Sequence, residues 1–494
     1  MAETPPLDDL AASRAEKLAR IEALGLDPWG SRFDDHQSIA TIRANPAAPF
    51  DESKTRARAA GRIVLRRIQG KLHFLDIRDH TGQVQVMIGQ QQVGELGWQL
   101  AQNLDLGDLI GVEGIYGLTR RGEETIRADK LTFLAKSLEP HPDKHAGMQD
   151  EEFRLRHRYL DLIHTPETLR RTKQRVTIVQ TIRRFLDARG FMEVETPTLH
   201  SIAGGAAARP FITHHNTLGI ELFLRIALEL HLKRLLVGGL ERVYELGRVF
   251  RNEGISRKHN PEFTMLELYQ AYGDYHSMMD ITEGMVIACL DAIGSGHTVN
   301  YGERTIDFSP PWPRQKYAEL FREHVGLAID ADVTAIASQR GLKTAGKHHD
   351  VLVHELFEHV VEPALEKSDR PVIVYDYPAA LCPLTKRKQG DLTIAERFEL
   401  YVLGMELANA YTELNDPVTQ EQTFRQQLAG LPADESMAKM DQDFIRAMRH
   451  GMPPAGGLGV GIDRLVMLLT DTQTIRDVIL FPLLRPQASE GETK

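Results

Sequence analysis

The segment at residues 249–275 constrains the fold more than any other part of the sequence. It predicts two strands joined by a loop of glycine, serine, proline and cationic residues, which are typical of turns. Arg251 and Glu253 are two residues apart, so a strand would place both on one face. Glu267 and Tyr269 likewise share a face of the second strand. This pattern predicts the floor of a site for a small anionic ligand with a flat ring, and a surface hairpin with scattered charges is the alternative.

Composition limits the class of protein. The chain has 494 residues, 42% hydrophobic and 26% charged, which predicts roughly two to four domains with ample cores. A formal net charge of −10 disfavours indiscriminate nucleic-acid binding, and DNA is not expected as a partner. Apolar runs are too short to span a membrane, and the first residues lack a signal-peptide core. Cys289 and Cys382 cannot form a disulfide framework, so we expect a cytoplasmic protein with no membrane partner.

The sequence pattern divides the chain into consecutive regions. Residues 1–57 are predicted as a helical extension, and the basic side of its helix (Arg14, Lys17, Arg20) is either a solvated face or a weak RNA contact. Residues 58–138 contain five short strand patterns, which predict a small barrel of the oligonucleotide-binding (OB) type. Residues 139–150 are predicted as a linker. The remaining domain, residues 151–494, includes a predicted helical insertion at about 276–370 to which no role is assigned.

The predicted barrel carries residues suited to single-stranded RNA. Phe74 offers a ring for stacking, Arg67 a cation for phosphate, and Gln85 an amide for base edges. A purely structural barrel is the alternative, because a lone phenylalanine lies more often in a core than on a binding surface.

Two carboxylates are predicted to face each other near the carboxyl-terminal part of the chain. A turn at Leu403 and Gly404 would leave Glu399 diagonal to Glu406 on one sheet face. Facing carboxylates repel unless a cation lies between them, and magnesium prefers such oxygen ligands together with phosphates. Neutralisation by the nearby Arg397 is the alternative.

The polar residues that follow predict an irregularity in the same strand. Asn409, Tyr411 and Glu413 share one face by alternation, but their parity is opposite to that of Glu406. If all four contact one ligand, a bulge or a twist must intervene near Ala408.

A glycine-rich strand pattern precedes the last strong helical pattern. Gly457, Gly459 and Gly461 would lie on one strand face without side chains, which suits a stacked purine. Asp463 is predicted to cap the following helix, and Arg464 at its start suits a terminal phosphate.

Three segments resemble, in order, the three sequence motifs of the class II aminoacyl-tRNA synthetases. A long helical stretch that ends near Gly190, followed by FMEVETPTL with Pro197, resembles the first motif. Residues 249–275 resemble the second, and NPEFTMLELY is similar to the lysine-specific members. The segment GGLGVGIDR resembles the third. The resemblance covers roughly residues 58–486. It implies an α+β fold in which the five-stranded OB-type barrel precedes a catalytic domain with an antiparallel sheet flanked by helices.

The resemblance also implies site residues. It implies catalytic roles for Arg251, Glu253, His259 and Arg464. ATP would contact Arg251, Glu253, His259, Phe263, Glu399, Gly457, Gly459, Gly461 and Arg464. Lysine would contact Gly205, Glu229, Arg251, Glu267, Tyr269, Asn409, Tyr411 and Glu413. Two or three Mg²⁺ ions would be held by Glu399 and Glu406. The anticodon would contact Arg67, Phe74, Gln85 and Glu123.

The charges of the implied amino-acid pocket agree with lysine. Glu229, Glu267 and Glu413 make the pocket acidic, which suits a substrate with two ammonium groups. Aspartate would require a cation at the end of the pocket, and none is found on these faces. Leu228 replaces the proline usual in lysine-specific relatives, so the local backbone is expected to differ, and Met405 stands where many relatives have arginine.

The implied reaction is ATP-dependent activation of L-lysine and its transfer to tRNA(Lys), carried out by a homodimer. Two other functions stay open. One is a ligase that attaches the amino acid to a protein, against which the intact barrel argues. The other is a non-catalytic RNA-binding paralogue, which would have lost motif arginines or carboxylates that are all present.

Overall fold

The computed structural model describes residues 7–140, 149–202, 204–206, 208–428 and 440–486. The chain divides into two compact units, Met1–Gln149 and Asp150–Lys494. Most of the predicted linker, at residues 141–148, lies outside the described residues. No helix in the described ranges is long and apolar enough to cross a membrane.

The first unit is built around a closed barrel. Its helices are α1 (Leu7–Ala23), α2 (Ile39–Arg43) and α3 (Gln90–Gln102). Its strands are β1 (Arg56–Gln69), β2 (Leu72–Arg78), β3 (Gln83–Gly89), β4 (Leu109–Leu118) and β5 (Glu124–Ala135). The strands close in the order β1-β2-β3-β5-β4, with β3 parallel to β5. Alternate side chains such as Leu75, Ile77 and Val86 are fully buried inside the barrel. The predicted five-stranded barrel is therefore confirmed.

The basic residues of α1 mostly contact the protein itself. Arg14 is buried and donates to Ser137 O at 2.8 Å and to Leu106 O at 3.0 Å. Lys17 forms an ion pair with Asp105 at 2.5 Å. Two of the three cations on this side of the helix therefore fix α1 to its own unit, which corrects both the solvated-face and the RNA-contact interpretations for Arg14 and Lys17.

The second unit contains the remaining elements. Its helices are α4 (Glu151–Arg156), α5 (Arg158–His164), α6 (Pro166–Asp187), α7 (Glu229–Val237), α8 (Tyr275–Ile293), α9 (Tyr317–Val325), α10 (Thr334–Gln339), α11 (His349–Leu356), α12 (Glu362–Leu365), α13 (Pro417–Leu428), α14 (Gln442–Arg449), α15 (Ile462–Leu469) and α16 (Ile475–Val478). Its strands are β6 (Met192–Glu193), β7 (Leu199–His200), β8 (Ile212–His215), β9 (Ile220–Leu224), β10 (Arg242–Phe250), β11 (Glu262–Ala271), β12 (Thr298–Tyr301), β13 (Arg304–Asp307), β14 (Arg314–Lys316), β15 (Val372–Pro378), β16 (Arg387–Lys388), β17 (Asp391–Val402), β18 (Met405–Thr412) and β19 (Ala455–Gly461).

A large sheet organises this unit. The described strands run in the order β14-β15-β17-β18-β19-β11-β10-β6, with β16 beside β17. The neighbouring strands are antiparallel except for β10 with β6 and β14 with β15. Apolar residues of β11, β18 and β19, such as Leu266, Ala410 and Val460, share a core with α6, α8 and α15. The helices therefore cover one face of the sheet, and the polar side chains of these strands lie on the other. The expected antiparallel sheet flanked by helices is confirmed.

The segment predicted as a helical insertion is more varied than expected. Within residues 276–370, β12 and β13 form a separate hairpin, and β14 pairs with β15 at the edge of the large sheet. Met278, Met285 and Leu290 of α8 belong to the main core. The partner of β14 is distant in the chain, which hid this strand from the sequence pattern, whereas the β12-β13 hairpin is local and was missed.

Candidate active site

A cavity of about 400 Å³ opens on the polar face of β11, β18 and β19. Most residues predicted for ATP, lysine and magnesium line it: Gly205, Glu229, Arg251, Glu253, His259, Phe263, Glu267, Tyr269, Glu406, Asn409, Tyr411, Gly457, Gly459, Gly461 and Arg464. Glu399 and Glu413, which were predicted with them, do not line the cavity. Glu413 is completely buried, and Glu399 is held by neighbouring side chains.

The glycines of β19 separate two rows of polar side chains. Gly459 lies opposite Glu267 on β11 and opposite Asn409 on β18. A Cβ at Gly459 would lie 3.8 Å from Asn409 O and 3.9 Å from Glu267 Cγ, so it would fit and would enter the cavity. At Gly457 a Cβ would clash with Glu413 Oε1 and would lie only 2.6 Å from Tyr269 Cε1. Gly457 is thus required by packing, whereas Gly459 keeps space open.

The predicted irregularity in β18 is a bulge at Leu407. Leu400 pairs with Ala408 and Tyr401 pairs with Glu406, so the register skips Leu407. The extra residue reverses the parity of the strand and brings Glu406 into the same cavity as Asn409. The expectation of a bulge or twist near Ala408 is confirmed.

Hydrogen bonds fix the carboxylates at the acidic end of the cavity. Glu267 Oε1 accepts from Leu228 N at 3.0 Å, and its Oε2 accepts from Tyr269 OH at 3.0 Å. Tyr411 OH donates to Glu229 Oε2 at 3.1 Å. Burial, followed by the nearby charge of Glu229, raises the pKa of Glu267 to about 7. This carboxyl group therefore titrates near neutral pH.

A buried lysine lies behind this acidic end. Lys233 Nζ forms ion pairs with Glu229 at 2.5 Å and with Glu413. Burial lowers the pKa of Lys233, but the charges of Glu229 and Glu413 outweigh it and raise the pKa above its ordinary value. Lys233 does not line the cavity, and it lies on α7 and not on the strand faces where no cation was expected. The sequence contained a signal for the ion pair, since Lys233 follows Glu229 by four residues on a helical pattern.

Arg251 lies just beyond the strand to which it was assigned. β10 ends at Phe250, so Arg251 and Glu253 belong to the loop and not to one strand face as expected. Arg251 N still donates to Pro261 O at 2.8 Å, which holds the loop base closed. The guanidinium carbon of Arg251 lies 5.3 Å from the centre of the Phe263 ring. A cation and an aromatic face therefore adjoin in the cavity.

Arg464 and His259 lie together where β19 meets α15. Arg464 Nη1 donates to Glu406 O at 2.8 Å, and its Nη2 lies 3.1 Å from His259 Nε2. Because the guanidinium only donates, Nε2 of His259 accepts and Nδ1 carries the proton to Ser256 Oγ, 2.9 Å away. Burial, followed by the charge of Arg464, lowers the pKa of His259, so the imidazole is neutral at pH 7.

Asp463 does not cap α15 as expected. Its Oδ2 accepts from Thr264 N at 2.6 Å, and its Oδ1 forms an ion pair with Arg175 at 2.6 Å. Asp463 therefore joins α15 to β11 and α6, which places Arg464 against the hairpin loop.

The Glu399 carboxylate already has protein partners. It forms an ion pair with Arg397 and accepts from Tyr377 OH at 2.9 Å and Tyr401 OH at 2.5 Å. Arg397 Nε also donates to Asn409 Oδ1 at 3.2 Å. Glu406 is less constrained, with its Oε2 at 3.8 Å from Arg464 Nη1. Burial, followed by the charge of Glu399, raises the pKa of Glu406.

The barrel gathers the residues predicted for RNA on its outer face. Phe74 lies opposite Arg67 across β1 and β2, and it is half-buried. Gln85 on β3 lies opposite Thr125 on β5, and the exposed Glu123 immediately precedes β5. A ring, a cation and an amide therefore share one surface.

Comparisons with known proteins identify the family. Residues 150–485 match the profile of the family described as tRNA synthetases class II (D, K and N), and residues 57–134 match the OB-fold nucleic acid binding domain. The lysine–tRNA ligase of Moorella thermoacetica is 50% identical, over 97% of this chain and 98% of its own. That of Shouchella clausii is 46% identical over 100% and 99%, and that of Staphylococcus aureus 45% identical over 97% and 99%.

The chain thus belongs to the class II tRNA synthetases of the aspartate, lysine and asparagine group. Within that group the chain belongs to the lysine–tRNA ligase family.

Proposed function

We propose that this chain activates L-lysine with ATP to form lysyl-adenylate and transfers the lysyl group to the 3′ end of tRNA(Lys), releasing diphosphate and AMP. One observation carries the proposal: a single cavity runs along β19, with Glu267 and Tyr269 beside Gly457 and Gly459, and with Arg464 just past Gly461. Acidic groups for an amino acid with two ammonium groups and cationic groups for phosphates thus lie in one space.

The charge of the pocket favours lysine over other amino acids. Glu229 and Glu267 supply two carboxylates to the cavity, and Lys233 and Glu413 form a buried ion pair behind them. The substrate's side-chain ammonium reduces the remaining negative charge. Aspartate would add a carboxylate where the charge is already negative, and norleucine would leave a buried carboxylate unpaired, which is strongly unfavourable. Tyr269, Asn409, Tyr411 and the backbone of Gly205 complete the proposed lysine contacts.

The nucleotide is proposed to lie over the glycine floor. Phe263 stacks on the adenine ring, and Gly459 and Gly461 leave space beneath it. Arg251 binds the α-phosphate and the lysine carboxylate, since it adjoins both Phe263 and the acidic residues. Glu253, His259 and Arg464 lie nearer the outer phosphates. The His259 imidazole is neutral and contacts Arg464, so it does not repel the Arg464 guanidinium.

The chemistry requires positioning rather than a general base. The lysine carboxylate is already ionised, so its oxygen attacks the α-phosphorus directly while the bond to diphosphate breaks. Arg251 stabilises the negative charge that develops on the α-phosphate oxygens. The terminal ribose hydroxyl of tRNA then attacks the carbonyl carbon of the adenylate, and AMP leaves.

Glu399 and Glu406 fit a proposed Mg²⁺ site. Glu406 lines the cavity, whereas Glu399 is paired with Arg397 behind it, so Mg²⁺ would contact the protein chiefly through Glu406. The described residues contain no cluster of three or more metal-ligating side chains. Mg²⁺ ions, two or three in number, would therefore take most of their oxygen ligands from the triphosphate and water. The ions would neutralise phosphate charge, while Arg397, Tyr377 and Tyr401 orient Glu399.

The barrel is proposed to read the anticodon of tRNA(Lys). Phe74 supplies a stacking surface, Arg67 a cation, and Gln85 and Glu123 hydrogen-bonding groups for the uridine edges. Under this proposal the first unit binds the anticodon and the second unit activates the amino acid.

A homodimer is also proposed, because apolar residues remain exposed around the segment that resembles the first motif. Leu199, Ile212 and Ile220 on the β7-β9-β8 sheet are between 42% and 54% exposed, and Leu218 between β8 and β9 is 65% exposed. Exposed apolar side chains on one small sheet are typical of a protein interface.

The direct test is aminoacylation of purified tRNA(Lys) with labelled lysine in the presence of ATP and Mg²⁺, the conditions of a cytoplasmic enzyme. Lysyl-tRNA should form with release of AMP. Absence of lysyl-tRNA, with lysyl-adenylate still formed, would exclude tRNA as acceptor and favour lysylation of a protein.

A further inference from the structure

We propose that Thr125 fixes the orientation of the Gln85 side-chain amide and is thereby a positioning residue for uridine recognition. The inference rests on the proposed anticodon function of the barrel. The Thr125 hydroxyl is buried beneath the surface formed by Phe74, Arg67 and Gln85, and it takes no part in the proposed reaction.

The two side chains lie directly opposite each other. Gln85 and Thr125 are paired residues in the parallel strands β3 and β5. Thr125 is completely buried and Gln85 is 9% exposed. Thr125 Oγ1 donates to Gln85 Oε1 across 2.9 Å. Because solvent does not reach Thr125, its hydroxyl group has to find its partners within the protein.

The positions of the two acceptors around the Thr125 hydroxyl indicate how the amide faces. The threonine hydroxyl has one proton, and an amide oxygen only accepts. The second acceptor near this hydroxyl, Glu123 O, lies farther away at 3.2 Å. The nearer acceptor is Gln85 Oε1, so the hydroxyl proton is directed to it and the amide NH₂ faces away from Thr125.

The NH₂ group of Gln85 is left without a protein partner in the part of the chain that the structure describes. The residue opposite Gln85 on β2 is Asp76, whose Oδ2 already accepts from Gln83 Nε2 at 2.9 Å. The outward group at Gln85 is consequently a donor on the RNA-binding surface.

An outward donor distinguishes the two pyrimidines. Uridine presents a carbonyl oxygen at the position where cytidine presents an amino group, so the Gln85 NH₂ pairs with the former and opposes the latter. Without the hydroxyl of Thr125 the amide could rotate and present its oxygen, which would accept from cytidine. The structure thus assigns the choice between uridine and cytidine to a residue that does not touch the base.

The test compares Thr125→Val, which keeps the shape and loses the hydroxyl, with Thr125→Ser, which keeps the hydroxyl. Each full-length protein is assayed for kcat/KM of lysylation with tRNA(Lys) transcripts in which each anticodon uridine is changed in turn to cytidine. The parent protein and Thr125→Ser should prefer uridine at one position by roughly ten- to a hundredfold. For Thr125→Val the preference at that position should fall to within about threefold of unity. Lysine-dependent ATP–pyrophosphate exchange should be unchanged in both variants.

Two outcomes would overturn the proposal. One is a parental uridine preference in Thr125→Val at every position, and the other is an equal loss of charging for all transcripts, which would indicate a merely structural residue.

A second variant, Gln85→Glu, offers only acceptors and should favour cytidine at the same position; retained uridine preference there would also contradict the proposal. If the parent protein itself does not discriminate between the transcripts, the proposed anticodon function of the barrel fails as well, and the two failures are distinguishable.

Discussion

The ammonium group of Lys233 and the carboxylate of Glu413 form an ion pair in which both side chains are 0% exposed. Lys233 also pairs with Glu229, which lines the cavity, so one buried cation connects the wall of the site to the residue behind it. Charges removed from water are stable only when they are paired, so Lys233 provides the cation that Glu229 and Glu413 share behind the proposed lysine.

Replacement of Lys233 by methionine should destabilise the protein strongly. The variant Lys233→Met leaves Glu229 and Glu413 without their shared cation, and loss of one partner from a buried pair costs about 3–5 kcal/mol. Urea unfolding of the full chain, followed by circular dichroism, measures the change. The matched control is Lys233→Met with Glu413→Gln, which removes a second charge and should recover part of the stability. A single variant as stable as the parent protein would contradict the role of the pair.

Binding of lysine should depend on the ionisation of Glu267. Its pKa is raised to about 7, and an ammonium ligand binds the ionised form. Below that pH the dissociation constant for lysine should increase about tenfold per pH unit, and above it should level off. Calorimetric titration from about pH 6 to about pH 8 measures this dependence. The variant Glu267→Gln should bind lysine weakly, and its dissociation constant should not change with pH in this interval. A pH dependence that persists in this variant would show that another group is responsible.

The same carboxyl group should affect the stability of the free protein. The pKa of Glu267 in the folded protein lies above its ordinary value of 4.5. Its contribution to the unfolding free energy is therefore present below pH 4.5 and is lost as the pH rises through about 7. Relative to Glu267→Gln, the parent protein should lose up to about 3 kcal/mol of unfolding free energy across this interval. Urea unfolding of both proteins at each pH provides the comparison, and parallel curves would refute the shifted pKa.

Leu228 should influence Glu267 through its backbone. Leu228 N donates to Glu267 Oε1, and proline, which the family resemblance leads one to expect here, has no N–H group. Because this hydrogen bond favours the ionised carboxylate, Leu228→Pro should shift the pH dependence of lysine binding upward by about one unit. Leu228→Ala keeps the N–H group and should leave the profile unchanged. Identical profiles for the two variants would exclude the hydrogen bond as the cause.

The two glycines of β19 should respond differently to alanine. Gly459→Ala adds a methyl group that fits the fold but occupies the cavity, so KM for ATP should increase while thermal stability is retained. Gly457→Ala forces the methyl group against Tyr269 and should cost about 1–3 kcal/mol of stability. Thermal unfolding and ATP kinetics of both variants separate the effects. If both variants lose stability equally, Gly459 is required by packing, and the proposal that it leaves space for the nucleotide is contradicted.

Arg251 should be required for adenylate formation and not for folding. Loss of one group that stabilises the transition state lowers the rate by about 10²–10³, so pyrophosphate exchange by Arg251→Ala should fall by that factor. The control is Arg248→Ala on β10, whose side chain is 42% exposed and pairs loosely with Glu262 at 3.6 Å. Near-parental exchange by Arg251→Ala would reject the proposed role.

Local periodicity predicted much of the site. The alternation along β11 and β18 placed Glu267, Tyr269, Asn409 and Tyr411 on the cavity face. The change of parity after Glu406 predicted a bulge or twist near Ala408, and the structure has a bulge at Leu407. These features follow from the two-residue repeat of a strand, which depends only on neighbouring residues.

The features that were missed depend on contacts between distant parts of the chain. Asp463 contacts Arg175 and Thr264 instead of its own helix, and Tyr377 on β15 donates to Glu399 on β17. Sequence spacing does not show which of several distant partners a carboxylate will meet. Lys233 is an intermediate case, because its spacing from Glu229 was visible but its complete burial was not.

Amino-acid-dependent ATP–pyrophosphate exchange tests the central claim most directly, with lysine, aspartate, asparagine, ornithine and norleucine compared on the full-length, magnesium-supplemented protein. We predict exchange with lysine and rejection of norleucine by roughly 10⁴–10⁵, because norleucine leaves a buried carboxylate unpaired. Aspartate and asparagine should support none. Exchange with aspartate, or no exchange with lysine from the folded protein, would contradict the assignment of this cavity to lysine activation.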